Sequence, residues 1–95
     1  MAGLQYCIDN NVNVISFSIG SSLSNGYCDS NLVANKSNNA VDQGINVIAA
    51  TGNDGSSNSI RVPACASKVM RIASSDKQDN LSSFSNIYLN DLLAP

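Results

Sequence analysis

The sequence predicts an α/β domain, a parallel sheet with flanking helices. Three observations predict it. Short apolar runs rich in β-formers alternate with segments whose apolar residues recur at helical spacing. Gly, Asn and Ser bound most of those runs. Strands separated by helices or long connections call for parallel pairing with crossovers rather than hairpins.

Residues 2–11 place Leu4, Cys7 and Ile8 at i, i+3 and i+4, the spacing of a short amphipathic helix. The pattern starts at Met1 with no capping residue before it, as expected of a helix cut into, and Asn10-Asn11 stops it. Residues 12–19 crowd Val12, Val14, Ile15, Phe17 and Ile19 into a nearly buried strand that Gly20 ends. Residues 20–29 form a loop with an Asn25-Gly26 turn. Asp29 or Ser30 caps a helix over 31–43, with Leu32, Val33, Ala40 and Val41 on its apolar side and Gly44 as its left-handed stop. Residues 45–50, INVIAA, are a second buried strand, followed by the glycine-bearing loop 51–59. Val62-Pro63-Ala64 is extended or a turn, because proline restricts the residue before it. Residues 69–73 are a third strand, 74–83 a polar loop, and 91–94 the start of a fourth strand. In parallel sheets ligands sit beyond the carboxyl ends of the strands. The loops after Ile19 and Ala50 both leave such ends.

Composition removes several function classes. The 95 residues carry five Lys+Arg against seven acids, net charge −2, which argues against an electrostatic grip on nucleic acid. No apolar run approaches the ~18–20 residues of a membrane span, and no secretory signal is visible. There is no His, and all seven acids are Asp, so no complete Ser/His/Asp site exists within these residues. No phosphate loop is present and no metal set is read. Taken singly, Ser18-Ile19-Gly20 and Thr51-Gly52-Asn53-Asp54-Gly55 are ordinary strand-end and turn chemistry.

Taken in order, the segments say more. V-N-V-I-S-F-S-I-G, A-V-D-Q-G-I-N-V-I-A-A-T-G-N-D-G, V-P-A, V-M-R-I-A-S-S, L-S-S-F-S-N and L-L-A-P run through almost the whole chain. The series resembles the central part of the subtilisin-like serine proteases, which have a Ser-Leu-Gly strand end, an Ala-Gly-Asn motif, a Pro-Ala segment, a Phe-Ser stretch and an Ala-Pro-Gly. The resemblance implies a partial subtilisin-like three-layer α/β/α domain. Residues 1–95 would be a central fragment of a peptidase domain, with polypeptide as substrate.

The resemblance also implies roles. Asn53 matches the asparagine whose side-chain amide donates to the oxyanion of the tetrahedral intermediate, a neutral donor that needs no proton transfer. Ser18, Ile19 and Gly20 would form one rim of the primary specificity pocket and pair with an extended substrate. Ala50, Thr51, Gly52 and Asp54 would form the facing wall. Arg61, two positions before Pro63, would stand at the pocket base and favour a carboxylate in the substrate, with Asp54 near enough to blunt that charge or Arg61 turned outward to solvent. Cys28 and Cys65 would be disulfide-bonded, since both segments flank the pocket in the family, leaving Cys7 as the odd thiol and implying a secreted or extracellular parent; the alternative is three reduced core cysteines. No cofactor is required. Carbonyls of the 64–69 stretch bind a weak cation in some relatives, which leaves calcium open for the parent protein.

The departures are as informative. The family's aspartate motif and its H-G-T-x-V-A motif lie upstream of what is here, and G-T-S-M-A lies downstream. None of the sixteen Ser has those neighbours. The expectation is a fragment of a serine endopeptidase, inactive alone. The alternative is a non-catalytic α/β peptide-binding module.

Overall fold

A computed structural model describes residues 2–86 and 92–94. Its elements are α1 (Ala2–Asp9), β1 (Val14–Phe17), β2 (Leu23–Ser24), α2 (Leu32–Asp42), β3 (Asn46–Ala50), β4 (Ile60–Arg61), β5 (Met70–Ser74) and β6 (Leu92–Ala94). Four of them form a parallel sheet in the order β1-β3-β5-β6, so the predicted fold class is what the chain adopts. Asp91, where the fourth strand was expected to begin, lies outside the described residues.

α2 packs on β3 and α1 packs on α2. The core between them gathers Leu4, Ile8, Ile15, Ala34, Ala40, Ile45, Val47 and Ala49, and extends to Ile60, Val62 and the 64–69 loop. β3 and β5 lie between other strands, which is why their apolar runs stand out in sequence.

Several boundaries differ from the sequence reading. The ladder of β1 holds only Val14–Phe17, in an exposed–buried alternation rather than near-complete burial. β1 is at the edge of the described sheet, and Ile19 beyond it is 77% exposed. The cap of α2 is Asn31, not Asp29 or Ser30. Its Oδ1 accepts from the N–H groups of Val33 (2.9 Å) and Ala34 (3.3 Å), a device worth about 1 kcal/mol. The expected apolar side holds except at Leu32, which is 65% exposed: Ala40 is buried, Val33 and Val41 pack against the core, and Ala34, Ser37 and Asn38 are buried with them. Ser37 can be buried because its hydroxyl donates back to Val33 O at 2.8 Å. Gly44, at φ 89°, takes the left-handed step that ends the helix.

The short antiparallel pair β2–β4 has no counterpart in the sequence reading. It pairs Leu23 with Arg61 and Ser24 with Ile60. Ser21 N donates to Val62 O and Val62 N to Ser22 O, both at 3.0 Å, so the loop after β1 is fastened to the segment before Pro63. The Val62–Pro63 peptide bond is cis.

Candidate functional site

Two chain segments leave the carboxyl ends of neighbouring strands. One leaves β1 through Ser18, Ile19 and Gly20; the other leaves β3 through Thr51, Gly52, Asn53 and Asp54. Between them lies an open cleft of about 340 Å³. Ser18, Ile19 and Gly20 line one side, Ala50, Gly52, Asn53 and Asp54 the other, and Arg61 completes it. Eight of the nine cleft residues singled out from sequence therefore converge.

Thr51 is the exception. Its side chain is buried, and its hydroxyl donates to Asn86 O at 2.6 Å. Thr51 lines a neighbouring recess of about 190 Å³ with Ile72, Ala73, Ser74 and Ser85, which Asn53 also borders. A hydroxyl whose donor is engaged in the interior serves the loop's shape rather than the cleft wall.

The loop that presents Asn53 is held on both sides of that residue. Thr51 N donates to Ile72 O (3.1 Å) and Thr51 O accepts from Arg61 N (3.0 Å). Gly55 N donates to Phe84 O at 2.8 Å. Asn86, fully buried, does the most: its Nδ2 donates to Thr51 O (2.9 Å) and Asp54 Oδ2 (3.1 Å), and its Oδ1 accepts from Asp54 N and Ser56 N, each at 3.0 Å. The sequence reading did not single out Asn86. Gly52, at φ 114°, passes directly over it; a Cβ there would stand 2.5 Å from Asn86 Nδ2. Asn53 itself is exposed and makes no side-chain hydrogen bond among the described residues. A fixed backbone with an uncommitted amide at its apex can meet negative charge with little reorganisation.

Arg61 does not turn out to bulk solvent. Its Nε donates to Asp54 Oδ2 (2.9 Å) and its Nη2 to Asp54 Oδ1 (2.7 Å), while Nη1 donates to Ser21 O. This two-pronged pair is the strong geometry for arginine and carboxylate. The bonds from Arg61, then from Asn86, hold the Asp54 carboxyl below its ordinary pKa, and Asp54 raises that of the guanidinium. The stem of Arg61 runs between two glycines. A Cβ on Gly20 would meet Arg61 Cβ at 2.7 Å, and one on Gly52 would meet its Cγ at 3.1 Å.

Cys28 and Cys65 are bonded to each other with a Cα–Cα separation of 5.3 Å, and Cys28 N donates to Cys65 O at 2.9 Å. Cys7 is free and half-buried against the core.

The sequence model of the family described as "Subtilase family" matches residues 1–94. The chain is 32% identical to Subtilisin BL of Lederbergia lenta over 94 residues, 98% of this chain and 33% of that protein. It is 29% identical over 85 residues to the "Minor extracellular protease Epr" of Bacillus subtilis, 90% of this chain and 12% of that one. The solved structure of the prenylagaramide maturation protease PagA superposes with a TM-score of 0.80 at 28% identity, covering 99% of this chain and 35% of that chain.

Proposed function

The chain belongs to the subtilase family, and from that premise we propose that residues 1–95 form the oxyanion and substrate-pocket segment of a subtilisin-like serine endopeptidase. The carrying observation is Asn53, whose side-chain amide has no partner among the described residues and lines the cleft on a loop tied through Thr51, Asp54, Gly55 and Ser56. In this reading Asn53 Nδ2 donates to the oxyanion as the scissile carbonyl becomes tetrahedral. Such a donor acts on charge that exists only in the transition state, so it lowers the barrier rather than tightening substrate binding. Ser18, Ile19 and Gly20 extend an edge strand along which a polypeptide pairs. Ala50, Gly52 and Asp54 form the opposite wall, and Arg61 forms the floor.

The chain spans between 12% and 33% of the length of these two curated relatives. It contains no His. The general base is therefore supplied outside these 95 residues; in this reading its aspartate partner and the nucleophilic serine are too, since none of the Asp or Ser here has the family's motif neighbours, and the segment by itself is inactive. The proposed partner is a polypeptide; a net charge of −2 gives the segment no electrostatic grip on nucleic acid. Among the described residues no helix is long and apolar enough to cross a membrane. The Cys28–Cys65 disulfide, together with a relative named as extracellular, supports a secreted parent.

The test is activity in the intact protein. It should hydrolyse a peptide substrate and lose that activity on stoichiometric reaction with a serine-directed fluorophosphonate, while the 95-residue chain turns over neither substrate nor reagent. An intact protein that binds peptides without cleaving them would contradict the proposal.

A further inference from the structure

We propose that the guanidinium of Arg71 is the resident cation of the carbonyl loop at 64–69, and that this loop consequently takes no metal ion. Arg71 lies in β5 and is only 6% exposed. A buried guanidinium must have acceptors, and two main-chain oxygens of the loop are among those of Arg71. Its Nη1 donates to Ala66 O at 2.7 Å and to Ala64 O at 3.3 Å. The ring of Tyr27 covers the other side, its centroid 5.5 Å from Cζ, a distance at which a ring face attracts a cation.

The donor set does not fit calcium. That ion needs six to eight oxygens at about 2.3–2.6 Å. Ala66 O accepts from both Arg71 Nη1 and Val69 N, so both of its lone pairs are engaged. A metal ion on Ala66 O would stand within about 5 Å of the guanidinium, two like charges in a buried place. The acid beside the loop, Asp29, uses Oδ1 on Ser67 N and Asn38 Nδ2, and among the described residues no three Asp, Glu, His or Cys side chains gather as a ligand set. Arginine cannot lose its proton or diffuse away, so the loop that carries Cys65 and follows Arg61 keeps its shape at any metal concentration.

The experiment uses the intact protein, with readouts local to this loop so that metal sites elsewhere do not interfere. Crystals soaked in terbium should show no anomalous density at the carbonyls of Ala64 and Ala66; a peak there with Arg71 displaced would overturn the proposal. In EDTA, Arg71→Lys keeps the charge, whereas Arg71→Gln keeps a donor and drops the charge. The Gln variant should melt lower than the Lys variant by roughly 2–4 °C or more. If Gln fails to fold while Lys folds, the order is the same. Equal melting temperatures, or a more stable Gln variant, would overturn it.

Discussion

Asn86 grips Asp54 with both ends of one amide. Its Oδ1 accepts from the Asp54 N–H at 3.0 Å, and its Nδ2 donates to the Asp54 carboxylate at 3.1 Å. The residues are 32 positions apart, and Asn86 is fully buried. The loop that carries Asn53 is thus shaped from outside itself.

Asn86→Ala should cost about 2–3 kcal/mol in denaturant unfolding, because Asp54 N and Ser56 N both lose their acceptor. In the intact protease kcat should fall with it, since the neighbouring Asn53 is no longer held. Asn86→Asp keeps the acceptor but sets a second carboxylate against Asp54, so its deficit should shrink as pH is lowered toward 4. Unfolding curves of the variants at pH 7 and pH 4.5 check both statements.

Asp54 compensates the charge of Arg61, so the unmodified pocket should show little preference for acidic side chains. Asp54→Asn should release the guanidinium and raise kcat/KM for Glu relative to Leu before the scissile bond by about tenfold. Arg61→Gly should deepen the pocket and raise the Phe/Glu ratio by a similar factor. Peptides that differ only in that residue supply the measurement. Ratios that stay constant in both variants would show that the side chain of Arg61 does not reach the substrate.

The Cys28–Cys65 bond spans 37 positions. In the chain-entropy view, closing a loop of that length is worth about 4 kcal/mol. Replacing both residues by Ser should therefore lower stability by up to that amount, read from unfolding midpoints with and without reductant. Reductant should leave the double variant unaffected.

Asp29 gives the acid response a definite sign. The N–H of Ser67, and then the Asn38 side chain, favour its ionised form and hold its carboxyl below the ordinary value of about 3.9. The unfolded chain then takes up the proton first. The stability that this carboxylate contributes is complete above about pH 5 and is lost as pH falls through its lowered folded value. Asp54 acts in the same direction. Asp29→Asn should flatten the loss of stability below pH 4 in acid titrations followed by circular dichroism.

The parts of this fold that a reader of the sequence can find are those that carry their signal locally. The buried strand β3 writes itself as an unbroken apolar run, and Gly44 marks a helix end by its own backbone. The pair β2–β4 does not, since two residues per strand establish no period and the pairing is made by contacts across almost forty positions. The cap at Asn31 was hidden by two equally good cap residues just before it. For the site, matching family segments drew attention to the cleft residues, because they are contiguous in short motifs. Asn86 and Thr51 bond main-chain groups 30–35 positions away, and Arg71 bonds main-chain oxygens of the 64–69 loop. Nothing in their own neighbourhoods distinguishes an asparagine in a polar stretch from one that organises a loop. The Phe-Ser-Asn segment was legible as a matching block and illegible as a set of bonds.

The most direct measurement is the kinetics of Asn53→Ala in the intact protease, on a peptide substrate at saturating and subsaturating concentrations. Loss of a donor used only in the transition state should lower kcat by about 10²–10³, the size found when an oxyanion donor of this kind is removed, and leave KM within a factor of about three. A kcat within about threefold of the unmodified enzyme, or a loss confined to KM, would contradict the role assigned to Asn53 and with it the reading of the cleft.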